Sequence, residues 1–184
     1  MDKPWFRKLF SRQKQAPPNN TQAKADDGDA EAQFRIGLQF ANAQGPAQDY
    51  VQAAHWYLKA ADQNHALAQF NLAVMFADGQ GMARDDAQAM MWFQKAAQQG
   101  DAGAQHNLGI RCRRAGFKGS PQEARESRLE AYKWLRLAAA QGYRGSDAAF
   151  EGVTLDMTRE EVAEGNHRAA AFVAANPGPS HDQS

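Results

Sequence analysis

The feature that most constrains the fold of this chain is a short segment that returns every 36 residues. Ala32-Gln33-Phe34 recurs as Ala68-Gln69-Phe70 and again as Ala104-Gln105-His106. Self-similarity at a period of roughly 20–50 residues is typical of repeat architectures, in which each repeat is one supersecondary element. The chain is therefore predicted to be a stack of similar small elements.

A second segment, which begins with tryptophan, repeats in step with the first. Trp56-Tyr57-Leu58-Lys59-Ala60-Ala61 returns after 36 residues as Trp92-Phe93-Gln94-Lys95-Ala96-Ala97. A third copy, Trp134-Leu135-Arg136-Leu137-Ala138-Ala139, follows after 42, so six residues are inserted inside the third repeat. Apolar residues at helical spacing in both halves of each repeat, with a glycine-containing turn between them, predict a pair of helices per repeat.

Small residues recur at fixed positions and predict where these helices cross. One set is Gly37, Ala73 and Gly109, and another is Ala60, Ala96 and Ala138. A single helix pair cannot bury its large tryptophan and phenylalanine side chains alone, so the repeats must stack into a continuous core. The predicted fold is an all-α solenoid of three helix pairs.

These motifs resemble the Sel-one-like repeat (SLR) family, which is related to the tetratricopeptide repeat. The family pattern is A-x-A-Q-x-x-L-G-x-x-Y, a G-x-G loop, and D-x-x-x-A-x-x-W-x-x-K-A-A-x-x-G. The second repeat matches it almost throughout, and the resemblance covers about residues 29–142. The other two repeats depart from the pattern at Ala43, Pro46, Asn64, His106, Cys112 and Leu137. The resemblance implies a right-handed α-α superhelical solenoid of antiparallel helix pairs.

The spacing divides the chain into segments on either side of the repeats. The repeats are assigned to residues 29–64, 65–100 and 101–142, preceded by an arm at 1–28 and followed by a partial repeat with a capping helix at 143–176 and a disordered tail at 177–184. Ser120 with Glu123, and Thr158 with Glu161, are predicted to form capping boxes at helix N-termini. The second of these helices suits the polar-faced cap that the last repeat of a solenoid requires.

The N-terminal arm is basic, although the whole chain is neutral with 21 basic and 21 acidic residues. Residues 1–24 hold six Lys or Arg and one acid, a net charge of +5. Its apolar residues lie at helical spacing and are Trp5, Phe6, Leu9 and Phe10. A short basic amphipathic helix here has three possible roles: lying on an anionic membrane, binding a partner groove, or folding back over the first repeat. A free, disordered arm is equally compatible with so short a segment.

No catalytic, metal-binding or cofactor-binding pattern is predicted. None of the five histidines lies at a zinc-ligand spacing from Cys112 or a carboxylate. Ser11-Arg12-Gln13-Lys14 matches the S-x-x-K motif of penicillin-recognising enzymes but lacks its companion motifs. Cys112 stands where the repeat places a buried aromatic residue, and a buried thiol is usually inert.

The expected location is the cytoplasm, and nucleic acid is not an expected partner. The start of the chain is too charged for a secretory signal, and no apolar run is long enough to cross a bilayer. The net charge of zero offers no general attraction to nucleic acid.

The family resemblance implies a binding surface on the concave face, which the first helix of each repeat lines. The predicted partner-binding residues are Arg35, Gln39, Asn42, Asn71, Met75, Asp78, Asn107, Arg111 and Arg114. Because the third repeat also holds Arg113 and Lys118, a partner with an acidic segment is predicted. The insertion around Phe117 is either a tolerated surface loop or a partner contact.

The predicted function is that of a non-catalytic adaptor or scaffold that binds a protein or peptide. The alternative is an immunity, inhibitor or secretion-associated protein that neutralises or escorts a bacterial effector.

Overall fold

The computed structural model describes residues 19–43, 48–116 and 120–176, and these residues form helices and turns without a strand. Nine α-helices lie within these ranges: α1 Asn19–Asp26, α2 Ala30–Asn42, α3 Tyr50–Asp62, α4 Ala66–Asp78, α5 Asp86–Gln98, α6 Ala102–Ala115, α7 Pro121–Ala140, α8 Ser146–Thr154 and α9 Arg159–Ala175. Trp5, Phe6, Leu9, Phe10, Phe117, Lys118 and the predicted tail at 177–184 lie outside the described residues. The fold divides into two compact units at Trp92 and Phe93.

The three predicted helix pairs are α2 with α3, α4 with α5, and α6 with α7. In the first two pairs, the second helix begins at the same position of the repeat, Tyr50 in α3 and Asp86 in α5. Asp49 N–H donates to the Phe40 carbonyl (3.1 Å), and Asp85 N–H donates to the Phe76 carbonyl (2.9 Å). These two contacts are 36 residues apart, so the sequence period is also the period of the backbone geometry.

The third pair has a longer second helix because of the insertion. Helix α7 has 20 residues, whereas α3 and α5 have 13 each. It begins at Pro121 with the capping box that the sequence predicts: Ser120 Oγ accepts from the Glu123 N–H (3.3 Å), and Glu123 Oε2 accepts from the Ser120 N–H (2.7 Å).

The predicted helix crossing points are confirmed in the first and third pairs. A Cβ atom on Gly37 would lie 2.6 Å from Tyr57 Cδ1, and one on Gly109 would lie 2.6 Å from Leu135 Cγ. Only glycine allows the two helices of each pair to approach so closely without moving these large side chains.

Helix α1 occupies residues that the sequence analysis placed in the arm. Ala25 on α1 is 2% exposed and packs against Ala32 and Ile36 of α2. Gly28 then turns the chain with a φ of 95°, as Gly100 does after α5 with a φ of 92°. Helix α1 therefore stands in the place of the last turns of a second helix belonging to a preceding repeat.

Helix α9 packs on α7 and covers the third repeat. It begins with the predicted capping box of Thr158 and Glu161. A Cβ atom on Gly165 would lie 2.5 Å from Cδ1 of Tyr132, which is itself only 2% exposed. Arg128 Nη2 donates to Glu161 Oε1 at 2.6 Å. This helix thus combines a close apolar contact with a charged hydrogen bond on the same partner helix.

Candidate partner-binding surface

Each first helix is fixed to the preceding helix by one buried glutamine. The side-chain Nε2 donates to a backbone carbonyl eight residues earlier in the chain. The three bonds run from Gln33 to Ala25 (3.1 Å), from Gln69 to Ala61 (3.1 Å) and from Gln105 to Ala97 (3.2 Å). A buried amide satisfied in this way holds the helix in one position, because losing the bond would leave polar atoms unpaired.

The N-terminus of each first helix carries a side-chain cap at the same position of the repeat. Asp29 Oδ1 accepts from the Ala32 N–H and Asp101 Oδ1 from the Ala104 N–H, both at 2.7 Å. In the second repeat His65 takes this position, as described next. The caps and the glutamine bonds together make the first helices rigid elements.

His65 replaces aspartate as the cap of α4. Its Nδ1 accepts from the Ala68 N–H at 3.2 Å, so the ring proton lies on Nε2, which donates to Glu31 Oε2 at 3.0 Å. The ring also stacks on Phe34 with a centroid distance of 4.7 Å. The histidine is therefore a structural cap and aromatic neighbour, with both ring nitrogens already engaged.

The predicted residues on α2 form one exposed polar strip. Arg35, Gln39 and Asn42 follow one another at intervals of four and three residues, which places them on one side of the helix, and all three are exposed. Arg35 Nε donates to Glu31 Oε1 at 2.6 Å. These three residues are called the α2 strip below.

The predicted residues on α4 differ in exposure. Asp78 is exposed and Asn71 is half-buried. Met75 is only 4% exposed, so its prediction as a partner-binding residue is wrong. Its register position matches that of Gln39, but an apolar thioether side chain is stabilised by burial in the core.

The predicted residues on α6 form a corresponding strip in the third repeat. Asn107, Arg111 and Arg114 have the same spacing as the α2 strip, and they are called the α6 strip. Asn107 Nδ2 donates to the Gly103 carbonyl at 2.9 Å. The Arg111 guanidinium lies over the Phe93 ring at 5.2 Å, and Arg114 is exposed.

Arg113 has a structural role that removes it from the predicted basic surface. Its Nη2 donates to the Gly152 carbonyl (2.9 Å) and to Asp156 Oδ2 (3.1 Å). These contacts connect α6 to α8 and to the turn that follows α8. The acidic-partner hypothesis consequently depends on Arg111 and Arg114.

Cys112 and His106, two side chains with reactive potential, are packed against neighbouring residues. Burial raises the pKa of Cys112 to about 11, which keeps its thiol protonated at neutral pH. Burial lowers the pKa of His106, whose Nδ1 lies 2.9 Å from Ser146 Oγ and whose ring packs against Tyr143. Across residues 19–43, 48–116 and 120–176, no cluster of three or more His, Cys, Asp or Glu is arranged to hold a metal ion. Over the same ranges, every helix is too short or too polar to span a bilayer.

The repeats match a known family model. Residues 30–65, 66–101 and 102–143 each match the Sel1 repeat. The chain belongs to the Sel1 repeat family. The matched segments begin one residue after the predicted boundaries at 29, 65 and 101. Sel1 repeat proteins generally act as scaffolds for interactions with other proteins.

Two solved structures show the same fold. A protective antigen of uropathogenic Escherichia coli with an SLR fold is 24% identical with a TM-score of 0.70, over 84% of this chain and 32% of the antigen. A Sel1 repeat protein from Oxalobacter formigenes is 28% identical with a TM-score of 0.60, over 72% of this chain and 96% of that protein. This Sel1 repeat protein thus spans about a third of the antigen's length. The predicted all-α repeat fold is confirmed. No curated protein matches the chain.

Proposed function

We propose that this Sel1 repeat protein is a non-catalytic scaffold that binds a protein or peptide through the exposed sides of its first helices. The observation that supports this proposal is that the α2 strip and the α6 strip occupy the same positions of the repeat in the first and third repeats. On the opposite side of α2 lies Gly37, and on that of α6 lies Gly109; both are buried against the second helix of their pair. Each helix therefore has one side packed in the core, and on the other side all of the α2 strip and Arg114 of the α6 strip are exposed, whereas Asn107 and Arg111 are half-buried.

The rigidity of the first helices supports a binding role. Their N-caps and buried glutamine bonds fix the backbone before any partner arrives. A partner then has to order only the exposed side chains, which reduces the entropy lost on binding. A flexible loop with the same side chains would bind more weakly for this reason.

The chemistry of the α6 strip favours a partner segment that carries carboxylates. Arg111 and Arg114 lie three residues apart on the same side of α6. Guanidinium groups bind carboxylates through paired hydrogen bonds, and stacking over Phe93 limits the motion of Arg111. The α2 strip offers the amides of Gln39 and Asn42, which both donate and accept and therefore suit the backbone of an extended peptide.

Site-specific photo-crosslinking tests which side of the repeats meets the partner. The photo-reactive residue p-benzoylphenylalanine is placed at Gln39 or Arg114, and at the matched controls Gln94 and Arg136, which are exposed on second helices. Covalent adducts are expected from the first two positions only. Adducts formed mainly from Gln94 and Arg136 would assign binding to the second helices and contradict the proposal.

Charge reversal then tests the acidic-partner chemistry on the protein recovered in the adduct. The double variant Arg111→Glu and Arg114→Glu is compared with Arg136→Glu and Arg144→Glu, an exposed pair with the same change in net charge. Isothermal titration calorimetry is expected to show a loss of affinity of about tenfold or more for the first variant. Equal affinities for the two variants would show that the carboxylate contact does not exist.

A further inference from the structure

The tryptophan of the second helix is covered unequally in the three repeats. Trp92 and Trp134 are each 4% exposed, whereas Trp56, at the equivalent position, is only half-buried. Trp56 packs against the cluster of Ala25, Ala32 and Ile36 beside Phe40, which is also half-buried. A partly exposed apolar surface that contains an indole and a phenyl ring therefore remains next to α1.

The described helix that precedes the first repeat, α1, leaves this surface partly exposed. Helix α1 has 8 residues, whereas α3 and α5, the corresponding helices of later repeats, have 13. In the 36-residue register Asn19 corresponds to His55, and the first five residues of α3, 50–54, correspond to residues 14–18. That stretch ends in Pro17 and Pro18, and proline does not fit within a helix.

The net charge of the first repeat is opposite to that of the arm, although the Lys59 ammonium lies 4.3 Å from the centre of the Trp56 ring. Residues 25–64 contain six acids and two basic residues, a net charge of −4, whereas residues 1–24 carry +5. Attraction between them brings the arm to this end of the first repeat and not to the basic α6 strip. The arm also holds an apolar cluster at residues 5–10 that suits an aromatic surface.

We propose that Trp5, Phe6, Leu9 and Phe10 dock on Trp56 and Phe40 of the same chain and cover the part of this surface that α1 leaves exposed. The tether of residues 11–18 reaches up to roughly 26 Å, whereas Ala25 lies only about 9 Å along α1 from Asn19. A tether this short gives an effective concentration of about millimolar, so a weak contact is sufficient for occupancy. This inference concerns the end of the first repeat and does not depend on the proposed function.

The test measures solvent access to Trp56 in the full-length chain by fluorine NMR. Incorporation of 5-fluorotryptophan gives signals for Trp5, Trp56, Trp92 and Trp134, and the Trp56 signal is assigned with Trp56→Phe. The variant Phe6→Ser, Leu9→Ser and Phe10→Ser is compared with the matched arm variant Gln13→Ser and Gln15→Ser. Only the first variant is expected to increase the H2O/D2O isotope shift of the Trp56 signal, and the Trp92 and Trp134 signals should not move.

A spin label supplies a second readout of the contact. A nitroxide attached at Ser11→Cys in a Cys112→Ser background is expected to broaden the Trp56 signal, and the triple serine variant is expected to lose this broadening. The broadening should not change on dilution, since the contact is within one chain. Broadening that disappears on dilution would assign the surface to a second copy and overturn the proposal.

The membrane role of the arm is the competing outcome. Vesicles that contain phosphatidylglycerol are mixed with the full-length protein and sedimented. An unchanged Trp56 isotope shift in the triple serine variant, together with sedimentation that requires Phe6, Leu9 and Phe10, would overturn docking in favour of membrane binding. A Trp56 signal protected only when the apolar arm residues are present supports docking.

Discussion

The two ends of the repeat array are covered by very different helices. At the N-terminal end α1 has 8 residues, and the equivalent tryptophan, Trp56, stays half-buried. At the C-terminal end α9 has 17 residues, and Phe172 meets Trp134 edge-on with a centroid distance of 5.1 Å. The two tryptophans occupy the same position of the repeat, so we attribute the difference in their burial to the neighbouring helices. The stability of a repeat protein accordingly depends on the contacts between each repeat and its neighbouring helices.

The contacts made by the two terminal helices differ in kind as well as in number. Helix α1 is held by the small side chain of Ala25 and by the amide of Gln33. Helix α9 adds ion pairs, in which Arg168 donates to Glu126 and Arg128 donates to Glu161. We therefore expect local opening to begin at α1, since fewer buried contacts oppose it there.

The largest expected effect comes from a glycine at the C-terminal end. In Gly165→Leu the new side chain would overlap the ring of Tyr132, because even a Cβ atom would lie 2.5 Å from Cδ1. The free energy of unfolding should fall by about 3 kcal/mol, as is typical of overpacking in a closed interface. Urea unfolding followed by circular dichroism measures the change.

The matched substitution at the N-terminal end is Gly28→Asn. Gly28 has a φ of 95° but nothing within 4 Å of a Cβ atom, and Asn64 already adopts a positive φ of 67° at the same position after α3. The loss should therefore be no more than about 1 kcal/mol. Equal losses at Gly165 and Gly28 would contradict the stated difference between the ends.

An intermediate effect is expected from the buried glutamines. Replacing Gln105 by leucine leaves the Ala97 carbonyl without its donor and removes the acceptor of the Gln141 amide, so about 2 kcal/mol should be lost. The same change at Gln33 should cost about 1 kcal/mol, since α1 can open and hydrate the Ala25 carbonyl. A larger loss at Gln33 than at Gln105, measured by chemical denaturation, would reverse the proposed order of stability of the two ends.

The smallest effect concerns acid pH. Hydrogen bonding from Arg168 holds the pKa of Glu126 below its ordinary value of 4.5. A carboxylate with a lowered folded pKa stabilises the protein above pH 4.5, and this contribution disappears as the pH falls through the folded pKa. Arg168→Met should thus destabilise by a few tenths to about 1 kcal/mol at pH 7, and less below pH 4.5.

Glu31 and Arg35 form the corresponding ion pair at the N-terminal end. The pKa of Glu31 is also lowered, first by the hydrogen bond with His65 and then by Arg35. The Arg35 side chain is 64% exposed, compared with 25% for Arg168, so Arg35→Met should have the smaller effect. Unfolding titrations at pH 3.5 and pH 7 compare the two variants. A pH-independent loss in Arg168→Met would show that its effect comes from packing.

The parts of the fold that depend on local chemistry were predictable. The helix pairs follow from apolar periodicity, the crossings at Gly37 and Gly109 from residue size, and both capping boxes from residues three apart. Helix α1 was missed because its eight residues carry no apolar stripe, and only Ala25 is deeply buried. The signal for α1 was nevertheless present, because Ala25 and Gly28 match Ala61 and Asn64 in the 36-residue register.

The candidate surface was less predictable because it depends on long-range contacts. Met75 was misassigned because register alone does not distinguish an exposed position from one that turns into the core. Arg113 contacts Gly152 and Asp156, about 40 positions further along the chain, and no local pattern indicates such pairing. The recurring Ala-Gln pair was visible, but a polar residue at a fixed position does not reveal that it is buried and hydrogen-bonded across a junction.

The glutamine bonds also show how a protein of this type tolerates changes in length. Gln63, at the end of α3, donates to Gln33 Oε1 at 2.8 Å, and Gln141, at the end of α7, donates to Gln105 Oε1 at 2.9 Å. The second of these pairs encloses six more residues than the first, yet its closing distance is nearly the same. The hydrogen bond between the two glutamines therefore forms at the same repeat position in both helix pairs, although the lengths of the intervening segments differ. New surface can accordingly be gained inside a hairpin during evolution without shifting the hairpins that come after it.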